Sequence, residues 1–96
     1  MKKLTTTIHR EYLREIVAGR KRTEYRKIKP YWTKRLAPLK CPFLLRLING
    51  MIKKAPEVTV RIDRVRRNLD TGNYELRIGA IVNFRNWDRR REHTKT

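Results

Sequence analysis

The sequence predicts a small α+β domain, mainly β: a five-stranded, partly closed β-barrel with one helix after the first strand. Three observations predict it. Short β-branched or alternating runs recur between turn signals along the chain. One segment, residues 9–18, has helical rather than strand periodicity. The length of 96 residues and the 39% hydrophobic content suffice for one compact core and not for two.

Residues 4–8, "LTTTI", are β-branched and read as a first strand. In "HREYLREIVA", residues 9–18, helical spacing puts Tyr12, Leu13, Ile16 and Val17 on one face. Glu11 and Glu15 lie four apart among arginines on a solvated side. Gly19 follows as the residue that ends the helix at positive φ. "RTEYRKI", residues 22–28, alternates as a second strand, with Glu24 and Arg26 on one side and Thr23 and Tyr25 on the other. Tyr25 is expected on the core side. Pro30 stops the strand, and "PYWTKRLAP" reads as a short helical turn bounded by Pro30 and Pro38.

"FLLRLI", residues 43–48, is apolar enough for a core strand, and "NG" at 49–50 signals a tight turn. In "EVTVRIDRVR", residues 57–66, the apolar parity changes between Ile62 and Val65, which predicts a bulge near Asp63 and Arg64. "NLDTGN" is a turn. "YELRIGAIVNF", residues 74–84, alternates most clearly, with the odd partners Glu75 and Arg77 opposite a face that runs from Tyr74 through Val82 to Phe84. Residues 1–84 thus read as one domain. Residues 85–96 read as a basic, flexible tail from which Trp87 is placed to pack back onto the barrel end.

Twenty-six Lys and Arg stand against nine Asp and Glu, a formal charge of +17 with a pI near 11.1. Such a surface attracts polyanions, and nucleic acid before other partners. Arginines outnumber lysines sixteen to ten, which suits bidentate phosphate contacts and stacking on bases. RNA is the expected partner and single-stranded DNA a further one. No apolar run of about 18 residues suggests a membrane span, and Met1-Lys2-Lys3 lacks the apolar stretch of a signal peptide. One cysteine, Cys41, permits no internal disulfide. These features predict a cytoplasmic monomer.

The candidate site centres on "GRKRTEYR", residues 19–26, a cationic run that keeps one carboxylate, Glu24. Lys21 lies in the connection, where it serves either as a phosphate contact or, with a pKa lowered by Arg20, Arg22 and Arg26, as a catalytic group. Arg26 carries the fork for bidentate phosphate or carboxylate contact. Glu24 has several open roles: orienting Arg26 as an ion pair, accepting a hydrogen bond from a base or sugar, or moving a proton. Tyr31 and Trp32 form either a stacking platform or core packing. Gly19 contributes indirectly, by letting the chain turn so that Lys21 and Glu24 meet. Glu75 is the one further acid nominated as a second catalytic carboxylate, although its parity opposes the apolar face of its strand. The arginines of the later strands, among them Arg46, Arg61, Arg64, Arg66 and Arg77, read as an electrostatic surface, and Arg89, Arg90 and Arg91 add non-specific affinity.

The pattern G-x-K-x-x-E-x-R, here Gly19, Lys21, Glu24 and Arg26, followed by Trp32 and preceded by a β-α start, resembles the ASCH (activating signal cointegrator homology) domain family. The resemblance spans about residues 4–84 and implies a PUA-like β-barrel with a cleft lined by the motif that takes RNA or a nucleotide-like ligand. It also implies an alternative: a small hydrolase, either a ribonuclease or an amidohydrolase on modified pyrimidine nucleosides, with Lys21 and Glu24 as catalytic residues. Whether or not a reaction occurs, ligand or nucleic-acid binding is expected at Gly19, Arg20, Lys21, Arg22, Glu24, Arg26, Tyr31 and Trp32.

Other chemistries find no support. His9, His93 and Cys41 do not make a zinc site, no glycine-rich phosphate loop occurs, and the chain has no serine. No cofactor is expected, and a divalent metal enters only with a nuclease. A double-stranded DNA reader would need a recognition-helix pair, whereas the one predicted long helix needs its apolar face for packing.

Overall fold

A computed structural model describes residues 1–88, 93 and 94 of the chain. The elements run β1 (Lys3–Thr7), α1 (Arg10–Val17), β2 (Thr23–Lys27), α2 (Pro30–Leu36), β3 (Phe43–Ile48), β4 (Glu57–Asn68), β5 (Asn73–Arg85), β6 (Trp87–Asp88) and β7 (His93–Thr94). The first five strands make one mixed sheet in the order β1-β3-β4-β5-β2, and β6 pairs with β7. Strand β1 runs parallel to β3, and the other pairs of the main sheet are antiparallel.

The closed barrel expected from the sequence is not what forms. The sheet is curled into an open half-barrel whose edges stay 11 Å apart, and the domain has two helices rather than one. Hydrogen-bonded strands sit about 4.8 Å apart, so β1 and β2 do not pair. The PUA-like barrel implied by the resemblance is corrected in the same way. Curling comes from the long β4–β5 ribbon, whose register shifts three times: between Thr59 and Val60, between Arg61 and Ile62, and between Ile62 and Arg64. Each irregularity bends the strand and adds twist. The irregularity at Asp63 is the one its sequence parity predicts.

The same irregularities overturn the expected single face of β5. Tyr74, Leu76 and Ile78 are buried, but beyond Gly79 it is Ile81 that packs against the core, and Val82 is exposed. Phe84 returns inward after the second shift. Nor is Asn49-Gly50 a two-residue hairpin: the chain runs from Ile48 to Glu57 through a longer connection, closed where Asn49 N–H donates to Pro56 O at 2.9 Å.

The core gathers the inward residues Phe43, Leu45 and Leu47 of β3 with Val58, Val60 and Ile62 of β4. Helix α1 packs on β4 and contributes Leu13, Ile16 and Val17, while α2 contributes Trp32 and Leu36. Helix α1 ends as its sequence predicts. Gly19, at φ +81, donates to Ile16 O, and Arg20 N–H donates to Glu15 O, both at 3.0 Å, the paired bonds of a Schellman cap. The expected tail begins inside the fold: Arg85 belongs to β5 and Trp87 is buried in the core. Arg89, Arg90 and Arg91 lie outside the described residues.

Candidate functional site

An open sheet leaves two edges whose backbone groups need partners, and here charged side chains supply them. On the β1 edge, Thr7 O accepts from Arg26 Nη2 at 2.8 Å and Thr5 O from Arg35 Nη2 at 2.6 Å. On the β2 edge, Thr23 O accepts from Lys21 Nζ at 2.6 Å, and Tyr25 N–H donates to Glu24 Oε1 at 3.1 Å. Arg26 therefore spans the seam between the edges. Its guanidinium also lies 5.0 Å from the centre of the Trp32 ring, within cation–π range.

Glu24 anchors this arrangement. The alternation of β2 turns it inward beside Arg26, and the Gly19 cap brings Lys21 back over the same strand. Glu24 Oε2 accepts from Arg26 Nη2 at 3.0 Å, and Lys21 Nζ sits 3.4 Å from Oε1. The three side chains are only 6%, 19% and 16% exposed for Glu24, Arg26 and Lys21. A carboxylate this buried needs such partners. The chain keeps one acid in its basic run because two cations fold over it. Lys21 Nζ lies 4.9 Å from the Tyr25 ring centre and 5.5 Å from that of Tyr12.

Glu24, Tyr25 and Arg26 form one wall of a cleft of about 410 Å³ at the open seam, while Lys21 backs Glu24 without lining it. The N-terminal end of α1 supplies His9 and Tyr12, and the connection after β3 supplies Asn49 and Gly50. Asn49 Nδ2 donates to Ile8 O at 2.9 Å, which ties that connection to the end of β1. Arg26 lines the cleft, and its Nε–H is buried without an acceptor among the described residues. An unsatisfied buried donor costs about 1–3 kcal/mol.

The structure brings together Lys21, Glu24 and Arg26 of the expected site and separates the rest. Gly19 shapes the turn. Arg20 pairs with Glu15 on α1, and Arg22 is exposed away from the cleft lining. Tyr31 and Trp32 meet edge to face with ring centres 5.4 Å apart. Trp32 is buried with Arg26 and Arg35 over its ring, so it packs rather than presenting an open platform; Tyr31 is exposed and hydrogen-bonded by Arg35. Tyr25 is 52% exposed, not core, because the concave face of the curled sheet takes Glu24 and Arg26 and leaves Tyr25 outside. Glu75 pairs in register with Tyr25 on that outer side and accepts from Asn68 Nδ2 at 3.0 Å, away from Glu24.

Sequence reasoning missed Thr7, whose contribution is a backbone carbonyl, and Asn49, read only as a turn former. It also missed a second buried acid, Glu57, which accepts from Arg46 Nε at 2.5 Å and Nη2 at 3.0 Å. That bidentate contact, reinforced by Arg85 and Lys3, holds the Glu57 carboxyl below the usual carboxylate range against the opposing effect of burial. A pKa lowered in the folded state stabilises the fold above the ordinary value of about 4.3, and the contribution is lost as pH falls through the folded value. Asp63, held low by Arg61, acts in the same direction. Glu57→Gln is expected to cost about 1–2 kcal/mol at pH 7 and to reduce the acid-side slope of a melting-temperature profile. A slope identical to the parent's would remove Glu57 from this linkage.

Among the described residues, no three His, Cys, Asp or Glu side chains gather as a metal site, and no helix is long and apolar enough to cross a membrane. No known family model matches the chain, and no curated protein matches it either.

Proposed function

We propose that the protein is an RNA-binding module. The seam cleft takes one nucleotide of a single strand, and the surrounding cations hold the phosphate backbone. The observation that carries this reading is Arg26: a guanidinium fixed by Thr7 O, Glu24 and Trp32 that lines the cleft. The charge of +17 and the ASCH-like residues Gly19, Lys21, Glu24 and Arg26 support it. Both carboxylate oxygens of Glu24 are already engaged, which favours an orienting role over proton transfer in hydrolysis. We place the protein in the cytoplasm as a monomer, where reducing conditions suit the exposed, unpaired Cys41 thiol.

The test is a labelled single-stranded RNA titrated across a salt series, beside DNA of the same sequence. Affinity is expected to fall with a log–log slope of about −0.7 for each phosphate contacted, with the RNA left intact. A flat salt response overturns the binding reading. Cleaved RNA, with cleavage lost in Lys21→Ala, assigns the site to a nuclease instead.

A further inference from the structure

A second basic groove lies on the other side of the connection between β3 and β4. It encloses about 570 Å³, and its lining includes Arg46, Lys53, Lys54 and Arg85 around a single carboxylate, Glu57. Arg46 takes up that carboxylate through two hydrogen bonds. Arg85 approaches it only to 4.0 Å and is 66% exposed at its side chain, and Lys53 and Lys54 are exposed. The groove therefore holds more positive charge than its one acid neutralises.

The two concavities share a wall. Gly50 lines both the Glu24 cleft and this groove. At φ +107 it suits glycine, and a Cβ placed there would meet nothing within 4 Å. At the residue the two sites share there is thus no side chain. Next to it stand Met51 and Ile52, 92% and 75% exposed, an apolar crest beside a polar path.

We propose that this groove is a second binding site, for backbone phosphates of the same single strand, which crosses the Gly50 saddle from the Glu24 cleft. The inference rests on the RNA-binding reading of that cleft. Arg85 offers a fork for a phosphate, and Lys53 and Lys54 offer mobile point charges. Met51 and Ile52 give unstacked bases an apolar surface at the crossing. The cations line a concavity that meets the cleft at Gly50, which fits a strand rather than the flat surface of an anionic bilayer.

The experiment compares a ribodinucleotide with an RNA of about 12 nucleotides, a length within the site sizes of small single-strand binders. Both are titrated against the parent, the K53Q/K54Q/R85Q triple variant and Arg26→Ala. Glutamine keeps the side-chain stems and removes three exposed charges, and a melting curve verifies the fold of each variant. In the triple variant, the longer RNA is expected to bind at least tenfold more weakly, with a salt slope less steep by about 2, and the dinucleotide is expected to bind as in the parent. An unchanged affinity and slope for the longer RNA overturn the proposal. So does loss of binding to phosphatidylserine vesicles in the triple variant with the RNA curves unaltered. If Arg26→Ala leaves both ligands unaffected while the triple variant loses the longer one, the cleft reading fails and the groove stands. If the parent binds neither RNA, both fall together.

Discussion

Glu24→Ala is expected to destabilise the domain by about 3 kcal/mol, in the range measured when one partner of a buried ion pair is removed. For a domain of this size that corresponds to a fall in melting temperature of about 15 °C. The loss exceeds that of an ordinary surface pair because both cations stay where they are. Arg26 is held to Thr7 O and Trp32, and Lys21 to Thr23 O. Neither swings into solvent without giving up an edge contact. Combining Glu24→Ala with Arg26→Ala should therefore cost less than the two single changes together, by more than about 0.5 kcal/mol. Additive losses in chemical denaturation would show that the two residues do not act as a unit. Glu24→Gln keeps the shape and one acceptor, so it should lose less stability than alanine.

Arg26→Ala should weaken RNA binding at least tenfold, about 1.4 kcal/mol, whereas Arg66→Ala should change it less than threefold. Arg66 is exposed on β4, with Glu75 3.9 Å away. Its contribution is a screened surface charge. Arg26 combines a fixed orientation with a place in the cleft wall. Arg26→Lys should recover little, since an ammonium cannot bridge Thr7 O and Glu24 while stacking on Trp32. Equal losses in Arg26→Ala and Arg66→Ala would mean that the cleft does not take the ligand and that charge alone drives binding.

Local signals in the sequence were reliable where one residue fixes one backbone feature. Gly19 ends α1, Pro30 opens α2, and the parity change after Ile62 marks the irregularity at Asp63. Strand alternation likewise placed Glu24 and Arg26 on one side of β2. It did not say which side was inside. That depends on the direction of curl, and so Tyr25 was expected in the core and is exposed. Closure was not legible either. Whether five strands meet is set by accumulated twist and by what fills the seam, and here Arg26 and Arg35 occupy the β1 edge. The irregularities at Gly79 and Val82 leave no parity break in an apolar run, so β5 read as one continuous face. Glu57 and Arg46 are eleven positions apart and meet only through the β3–β4 register. No spacing rule connects them.

The cleft lies at the open seam. A closed barrel would pair β1 with β2 and leave Glu24 and Arg26 no common opening. RNA is proposed to enter there, and a backbone amide NMR spectrum of the protein titrated with a short single-stranded RNA would locate it. The largest shifts are expected at Glu24, Tyr25 and Arg26, with accompanying changes at Thr7, Asn49 and Gly50 across the cleft. Shifts confined to the outer-face residues Arg64, Arg66 and Arg77, with the seam unchanged, would contradict it.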